Sequence, residues 1–258
     1  MTLSYIVSGF AVGLLVGMTG VGGGSLMTPL LTLLFGVAPT TAVGTDLAFA
    51  AITKSAGTLT HRLRGTVRWD IVKLLCIGAL PAAVVATLGL KAFGAVNQEI
   101  GDVIRYSIAG SVLLTVIALL FKTRMLGWIN AHPEKQLHGG KLAAATIVSG
   151  AVLGLLVTVS SIGAGAIGAT LLVLLYPRLS SAEVAGTDIA YAVPLTAIAA
   201  AGHWWLGSIH WSLLLSLLVG SLPGITLGSW IARAVPEKFL RAVLALTLTT
   251  VAYKLIAH

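Results

Sequence analysis

Two glycine-rich stretches of this chain carry the groups best suited to bind a small oxyanion. Glycine leaves the backbone N–H groups uncovered, and the hydroxyl side chains beside the glycines add further donors. The oxygens of an oxyanion only accept hydrogen bonds, so both stretches predict an anion site. The candidate substrate-binding residues are Thr19, Gly22, Gly23, Gly24 and Ser25 in the first stretch and Ser160, Ser161, Gly163 and Gly165 in the second.

The apolar segments that flank the first stretch, 6–16 and 26–35, are too short to cross a membrane. A helix of about 12–15 residues covers roughly 18–22 Å, whereas the hydrocarbon core measures about 30 Å. We predict one broken membrane segment or a re-entrant hairpin, with the positive end of the second half-helix facing inward. The alternative, that these glycines only let helices pack closely, stays open at this point.

Three charged residues within the predicted apolar segments are candidates for a function. Asp46 and Asp188 are expected either to cap helices at the membrane surface or to act in proton or cation coupling or gating. Lys54 is expected either to be a counter-charge for the substrate, and so a further substrate-binding candidate, or to extend its stem to the interface. His61 and His203 are interpreted as interfacial polar caps.

The same pattern of residues occurs twice along the chain. Gly44-Thr45-Asp46 matches Gly186-Thr187-Asp188 at a spacing of 142 residues, and Pro81 matches Pro223 at the same spacing. The glycine-rich stretches match at 141 residues. These identities in register predict a tandem duplication, with a first membrane repeat over 1–125, a cytoplasmic linker over 126–140 and a second membrane repeat over 141–258.

The elements that must position these residues are apolar helices. Hydrophobic residues make up 57% of the chain and charged residues only 9%, against about 25% charged in an average soluble chain. We therefore predict an all-α membrane protein with ten apolar segments, five in each repeat. They cover about 4–18, 25–36, 42–60, 71–92, 103–121, 142–158, 164–176, 184–205, 211–232 and 239–256.

An odd number of segments in each repeat makes the second repeat enter the membrane from the opposite side. The prediction is thus two inverted-topology repeats with broken or re-entrant glycine-rich helices, which is typical of secondary transporters. The formal net charge is +8, and the basic residues cluster in alternate loops. This distribution predicts a multi-pass protein of the inner membrane with both termini outside and the linker inside, and it explains the charge without nucleic acid.

Three motifs resemble those of a known family, the sulfite exporter TauE/SafE membrane permeases. They are Gly13-x3-Gly17-x2-Gly20-x-Gly22-Gly23-Gly24 with Pro29, then Ala42-Val43-Gly44-Thr45, then Arg64-Gly65-x-Val67-x-Trp69. The resemblance covers nearly the whole chain and implies transport of small sulfur oxyanions or organosulfonates. The chain departs from the family pattern at Gly163-Ala164-Gly165, where a glycine triplet is frequent, and at Asp46 and Asp188, where many members carry Ser.

The expected function is therefore a permease for a small sulfur-containing anion: sulfite, sulfate or an organosulfonate. One alternative is a proton- or cation-coupled carrier of another small carboxylate or oxyanion. An alternative of another class is an integral membrane enzyme acting on lipid, which would need a nucleophile–base pair or a metal site. The sequence shows neither of these constellations, so no catalytic residue, metal ligand or cofactor is predicted. Oligomeric state is left open.

Overall fold

The computed structural model describes residues 3–19, 24–93, 98–132 and 136–231, together with 246, 248–250 and 253–254. Throughout these residues the regular structure is helical, which confirms the all-α prediction. The helices are α1 (Leu3–Thr19), α2 (Gly24–Phe35), α3 (Pro39–Leu63), α4 (Trp69–Ala92), α5 (Gln98–Ala131), α6 (Gly139–Ser160), α7 (Ala166–Leu175), α8 (Ser181–Trp205) and α9 (Trp211–Ile231).

Five of these helices have the length and apolar composition needed to cross a membrane. They are α4, α6 and α8 over their whole length, α5 over Gly101–Phe121 and α9 over Trp211–Gly228. Of the four helices beside the glycine-rich stretches, α6 is one of these five, whereas the other three are shorter, with 17 residues in α1, 12 in α2 and 10 in α7. The chain is therefore a multi-pass membrane protein whose glycine-rich stretches each separate two helices.

The largest difference from the predicted segments concerns α5. The fifth apolar segment was expected to end near residue 121, but α5 continues to Ala131 and includes the first part of the predicted linker. Leucine, lysine, arginine and methionine have good intrinsic helix propensity, so this helix continues after its apolar pattern ends. The other predicted segments that lie within the described residues differ from the observed helices by a few residues at each end.

Helices from the two predicted repeats pack directly against each other. The extensive pairs are α1 with α9, α4 with α6, and α3 with α8. At Gly78 on α4, an added Cβ would overlap the carbonyl oxygen of Ile147 on α6, and at Gly220 on α9 it would overlap that of Ile6 on α1. Close packing through glycine is thus observed at these matched positions, where only a hydrogen atom fits between the backbones.

Candidate functional site

The two aspartates lie well inside their helices, so the prediction that they cap helices is wrong. Helices α3 and α8 each begin about two turns before the aspartate. The cap of α8 is Ser180, whose hydroxyl accepts the Glu183 N–H while the Glu183 carboxylate accepts the Ser180 N–H. Asp46 and Asp188 are instead buried among the helices.

The glycine that precedes each aspartate by two residues allows a loop to approach the helix. An added Cβ at Gly44 would overlap the carbonyl oxygen of Ser208, in the loop between α8 and α9. At Gly186 it would lie 2.7 Å from the carbonyl oxygen of Thr66, in the loop between α3 and α4. Each triplet therefore holds the loop that follows the other long helix.

The threonine of each triplet accepts a hydrogen bond from the residue just before a helix of the other predicted repeat. Thr45 Oγ1 accepts the His210 N–H at 3.1 Å, and Trp211 begins α9. Thr187 Oγ1 accepts the Arg68 N–H at 3.1 Å, and Arg68 is the N-cap of α4. The glycine and threonine of each triplet are thus structural contacts between the predicted repeats, made through the loops before α4 and α9.

Asp46 connects the start of α2 with the second glycine-rich stretch. Thr28 on α2 donates a hydrogen bond from its hydroxyl to Asp46 Oδ2 at 2.5 Å. Ser161, in the second stretch, lies beside the same carboxylate. Among the described residues, neither Asp46 Oδ1 nor Ser161 Oγ makes a hydrogen bond of good geometry, although both are buried.

Lys54 points inward and not toward the membrane interface, so the interpretation of an extended interfacial lysine is wrong. Its side chain is buried on α3, and its ammonium nitrogen donates a hydrogen bond to the Ala164 carbonyl at 2.9 Å. Asp46 and Asp188 both lie close enough to interact electrostatically with this ammonium. The structure therefore groups Lys54, the two aspartates and the second glycine-rich stretch in one buried site.

The second stretch is a genuine break between two helices. Helix α6 ends at Ser160, and Ser161 has a φ of 59°, in the left-handed region that costs a residue with a Cβ about 1 kcal/mol or more. Gly163 and Gly165 have φ values of 134° and 139°, which favour glycine over any L-residue with a side chain. The unwound backbone leaves the Ala164 carbonyl available to Lys54, and α7 begins two residues later at Ala166.

Ser160 differs from the other predicted binding residues of this stretch. Its hydroxyl donates to the Leu156 carbonyl at 2.6 Å and accepts the Ile162 N–H at 3.1 Å. Because a serine hydroxyl has a single hydrogen to donate, Ser160 holds the local backbone in this arrangement. An anion would need to displace this hydrogen bond in order to use the Ser160 donor.

The first stretch is described only at its ends. Gly22 and Gly23 lie outside the described residues, as do the side chains of Thr19 and Ser25, so their predicted role in substrate binding remains a prediction. Gly24 is the first residue of α2. What the structure shows of this side of the site is α2 itself, through the contact of Thr28 with Asp46.

The two histidines have different surroundings. His203 is buried and its Nε2 lies 2.9 Å from the Thr158 carbonyl on α6, so its interpretation as an interfacial cap is wrong. His61 is half-buried near the end of α3, where its Nδ1 lies 2.8 Å from the Thr66 hydroxyl. His203 therefore joins α8 to α6 at a buried position, while His61 holds the turn after its own helix.

Sequence analysis missed Thr28, Gly168 and Tyr191. An added Cβ at Gly168 on α7 would overlap Asp188 Oδ1 and would lie 2.7 Å from the Tyr191 hydroxyl oxygen. The absence of a side chain at Gly168 thus makes room for both polar groups. The signal for Thr28 was present in the repeat, because Thr170 lies 142 residues later in the matching helix.

These features define a multi-pass helical membrane protein in which α3 and α8 bring ionisable side chains to a buried site, where such residues usually have a function. A family profile described as Sulfite exporter TauE/SafE matches residues 5–255. The chain belongs to this family of membrane transporters.

Two curated relatives are also named as probable membrane transporter proteins. Probable membrane transporter protein YjnA of Bacillus subtilis (strain 168) is 34% identical over 256 residues, which cover 99% of this chain and all of that protein. Probable membrane transporter protein YdhB of the same organism is 29% identical over 241 residues, covering 92% of this chain and 93% of the relative. No solved structure matches the chain.

Proposed function

We propose that the protein is a permease that moves a small sulfur-containing anion, namely sulfite, sulfate or an organosulfonate, across the cytoplasmic membrane. The family description supports a sulfur oxyanion as the cargo. The observation that carries the proposal is the inward position of Lys54, because its buried ammonium reaches the break between α6 and α7.

The ammonium of Lys54 is well suited to hold an oxyanion. It has three N–H donors, and the Ala164 carbonyl uses one of them. A hydrogen bond between charged groups contributes about 1.5–3 kcal/mol, more than a neutral one, and a low-dielectric surrounding strengthens it. The start of α7 adds the positive end of a helix dipole two residues beyond the Lys54 contact.

In this proposal the two glycine-rich stretches receive the anion from opposite sides of the site. The second stretch would contribute Ser161 and the backbone at Gly163 and Gly165, and the first would contribute Gly22 to Gly24 with the Thr19 and Ser25 hydroxyls. The inverted repeats and the outward placement of both termini belong to the same proposal. The contacts that recur at matched positions of α3 and α8 support it.

A second candidate is a proton- or cation-coupled carrier of another small carboxylate or oxyanion. The burial of Asp46 and Asp188 near Lys54 favours coupling, since an anion entering beside two ionised carboxylates would be repelled. Both candidates use the same site and differ in the anion that is carried.

The cargo is tested with purified protein in liposomes that are offered labelled sulfate, sulfite, methanesulfonate, acetate or lactate. We expect one or more of the sulfur anions to enter faster than the carboxylates. Lys54→Thr, which copies the matched Thr196, should reduce this uptake to the level of protein-free liposomes. Lys73→Thr removes the same charge from an exposed position of α4 and should transport as the wild type does.

Two outcomes would contradict the proposal. Faster uptake of the carboxylates would favour the second candidate. Normal uptake by a folded Lys54→Thr protein would remove Lys54 from the anion site and leave the glycine-rich stretches without their counter-charge.

A further inference from the structure

We propose that Asp46 Oδ1, the oxygen that Thr28 leaves free on a carboxylate beside the Ser161 hydroxyl, is the site of a proton that moves together with the anion. The inference rests on the proposed permease function and names its coupling ion. It assigns the proton to one oxygen of one carboxylate, at the point where α3 meets the break between α6 and α7.

The two oxygens of Asp46 have different surroundings. Oδ2 accepts the hydrogen bond from Thr28, while Oδ1 makes none among the described residues. An ionised carboxylate oxygen that is buried without a donor carries a large desolvation cost. A proton on Oδ1 lets this oxygen donate to Ser161 Oγ, which also makes no hydrogen bond of good geometry among the described residues. One proton thus satisfies two buried atoms.

The charges around the site make the proton and the anion depend on each other. Asp46 lies beside Thr28 of α2 and Ser161 of the break, and both Asp46 and Asp188 of α8 interact electrostatically with Lys54 of α3. His203 of α8 packs against Gly44, about half a helical turn before Asp46. Two carboxylates and one ammonium already leave an excess negative charge. A monovalent anion that arrives with one proton adds no net charge to this buried volume, which removes much of the cost of binding either ion alone.

Contacts of the described residues favour a proton over a metal cation. The Ala164 carbonyl accepts a hydrogen bond from the Lys54 ammonium, which also interacts electrostatically with Asp46. That ammonium also repels a second cation, whereas a proton becomes part of a neutral acid. Sodium coordination would need several oxygen ligands converging on one point. Among the described residues, the hydroxyl neighbours of Asp46 are Thr28 and Ser161, and Thr28 already directs its hydrogen at the carboxylate.

The chemical step is a simple proton transfer. Hydronium from the aqueous phase on one side of the membrane gives its proton to Asp46 Oδ1 and becomes water. After the site has opened to the other side, the neutral acid returns the proton to water there, and the anion leaves. Atoms and charge balance without any further reactant.

Infrared spectroscopy tests the proton site without any substrate. Spectra of the purified protein are recorded as the pH is lowered, and we expect a C=O stretching band of a neutral, buried carboxylic acid to appear. Asp46→Asn should remove this band, and Asp188→Asn should keep it. Ser161→Ala should shift it to higher frequency, since the acid then loses the acceptor of its hydrogen bond. A band that survives in Asp46→Asn, or no such band in the wild type, would overturn the assignment.

Transport tests the coupling with sulfate and methanesulfonate, which stay ionised near neutral pH and so carry no proton of their own. Liposomes that contain a pH-sensitive dye should acidify inside when the transported anion is added outside. Asp46→Asn should abolish this acidification and the response to an imposed pH gradient. It should still exchange labelled for unlabelled anion, because asparagine resembles the neutral acid and can donate to Ser161.

The outcomes separate this inference from the proposed function. Anion-dependent acidification in Asp46→Asn, or flux that follows a sodium gradient in place of a proton gradient, would overturn the proton assignment while the permease stands. If no tested anion moves in the wild type, the proposed function fails, and the infrared band alone decides whether Asp46 binds a proton.

Discussion

Helices α3 and α8 make the same scaffold contacts and have different chemistry. In both, the glycine of the triplet allows close approach of a loop and the threonine accepts the N–H just before a helix of the other predicted repeat. These contacts are matched almost atom for atom. The comparison indicates that the glycine and threonine of the triplets hold the framework and are independent of the chemistry nearby.

The surroundings of the two aspartates have diverged. Lys54 of α3 corresponds to Thr196 of α8, whose hydroxyl donates to the Ala192 carbonyl of its own helix. Thr28 donates to Asp46, whereas the matching Thr170 donates to the Ala166 carbonyl. Divergence at these positions gives α3 a positive charge that α8 lacks at the matched position, so the proposed anion site is asymmetric although the scaffold contacts are matched.

The largest loss of stability is expected at the packing glycines, and it should be equal in the two predicted repeats. Gly78→Val and Gly220→Val would each drive a side chain into the backbone of the facing helix. Overpacking costs about 1–3 kcal/mol and sometimes more, and here the helices must separate. We expect a large loss of thermal stability in detergent for both variants. Gly89→Val, on α4 with open space at its Cβ, is the control and should melt close to the wild type.

The second-largest effect is on anion binding, and it should appear in the first predicted repeat only. Lys54→Met removes the ammonium and keeps much of the stem, so the loss of one charged hydrogen bond, about 1.5–3 kcal/mol, should weaken anion binding roughly ten- to hundredfold. Thr196→Val removes a hydroxyl that bonds to its own helix, and binding should stay nearly unchanged. Titration of the purified proteins with the transported anion measures both. Equal losses in the two variants would mean that the site is symmetric.

A smaller and again equal effect is expected at the triplet threonines. Thr45→Val and Thr187→Val each remove the acceptor of the N–H before α9 or α4. The loss of one such hydrogen bond costs about 1 kcal/mol. Thermal unfolding should show this cost in both variants, and Thr→Ser at the same positions should restore most of it. A loss at only one of the two positions would show that the scaffold contacts are not equivalent.

The smallest effect is expected at Tyr191, which corresponds to Phe49 of α3. The Tyr191 hydroxyl is buried and makes no hydrogen bond of good geometry among the described residues. Tyr191→Phe should therefore leave stability within about 1 kcal/mol of the wild type or raise it slightly. Transport that is lost while melting is unchanged would instead assign a function to the hydroxyl, next to Asp188.

Local sequence patterns predicted most of the helices, because hydropathy and helix length are properties of short segments. The end of α5 was missed since a helix needs no apolar residues to continue into a polar region. The triplets were placed at helix starts because the residues from Pro39 onward are less apolar than those that follow. Only the described helix bounds, together with the Ser180 cap of α8, show that both aspartates lie well inside.

The sequence by itself determined a multi-pass helical membrane protein, the two glycine-rich stretches, the matched triplets and the membership of the family that its motifs resemble. Only the tertiary structure decided that Lys54 points inward, that Thr28 bonds to Asp46, and that Ser161 faces the same carboxylate. Lys54 and Ala164 are 110 residues apart in the chain. Their contact depends on how α3 packs against the other repeat and on the unwound backbone between α6 and α7, which leaves one carbonyl free to accept the ammonium. Neither condition can be predicted from the local sequence pattern around Lys54.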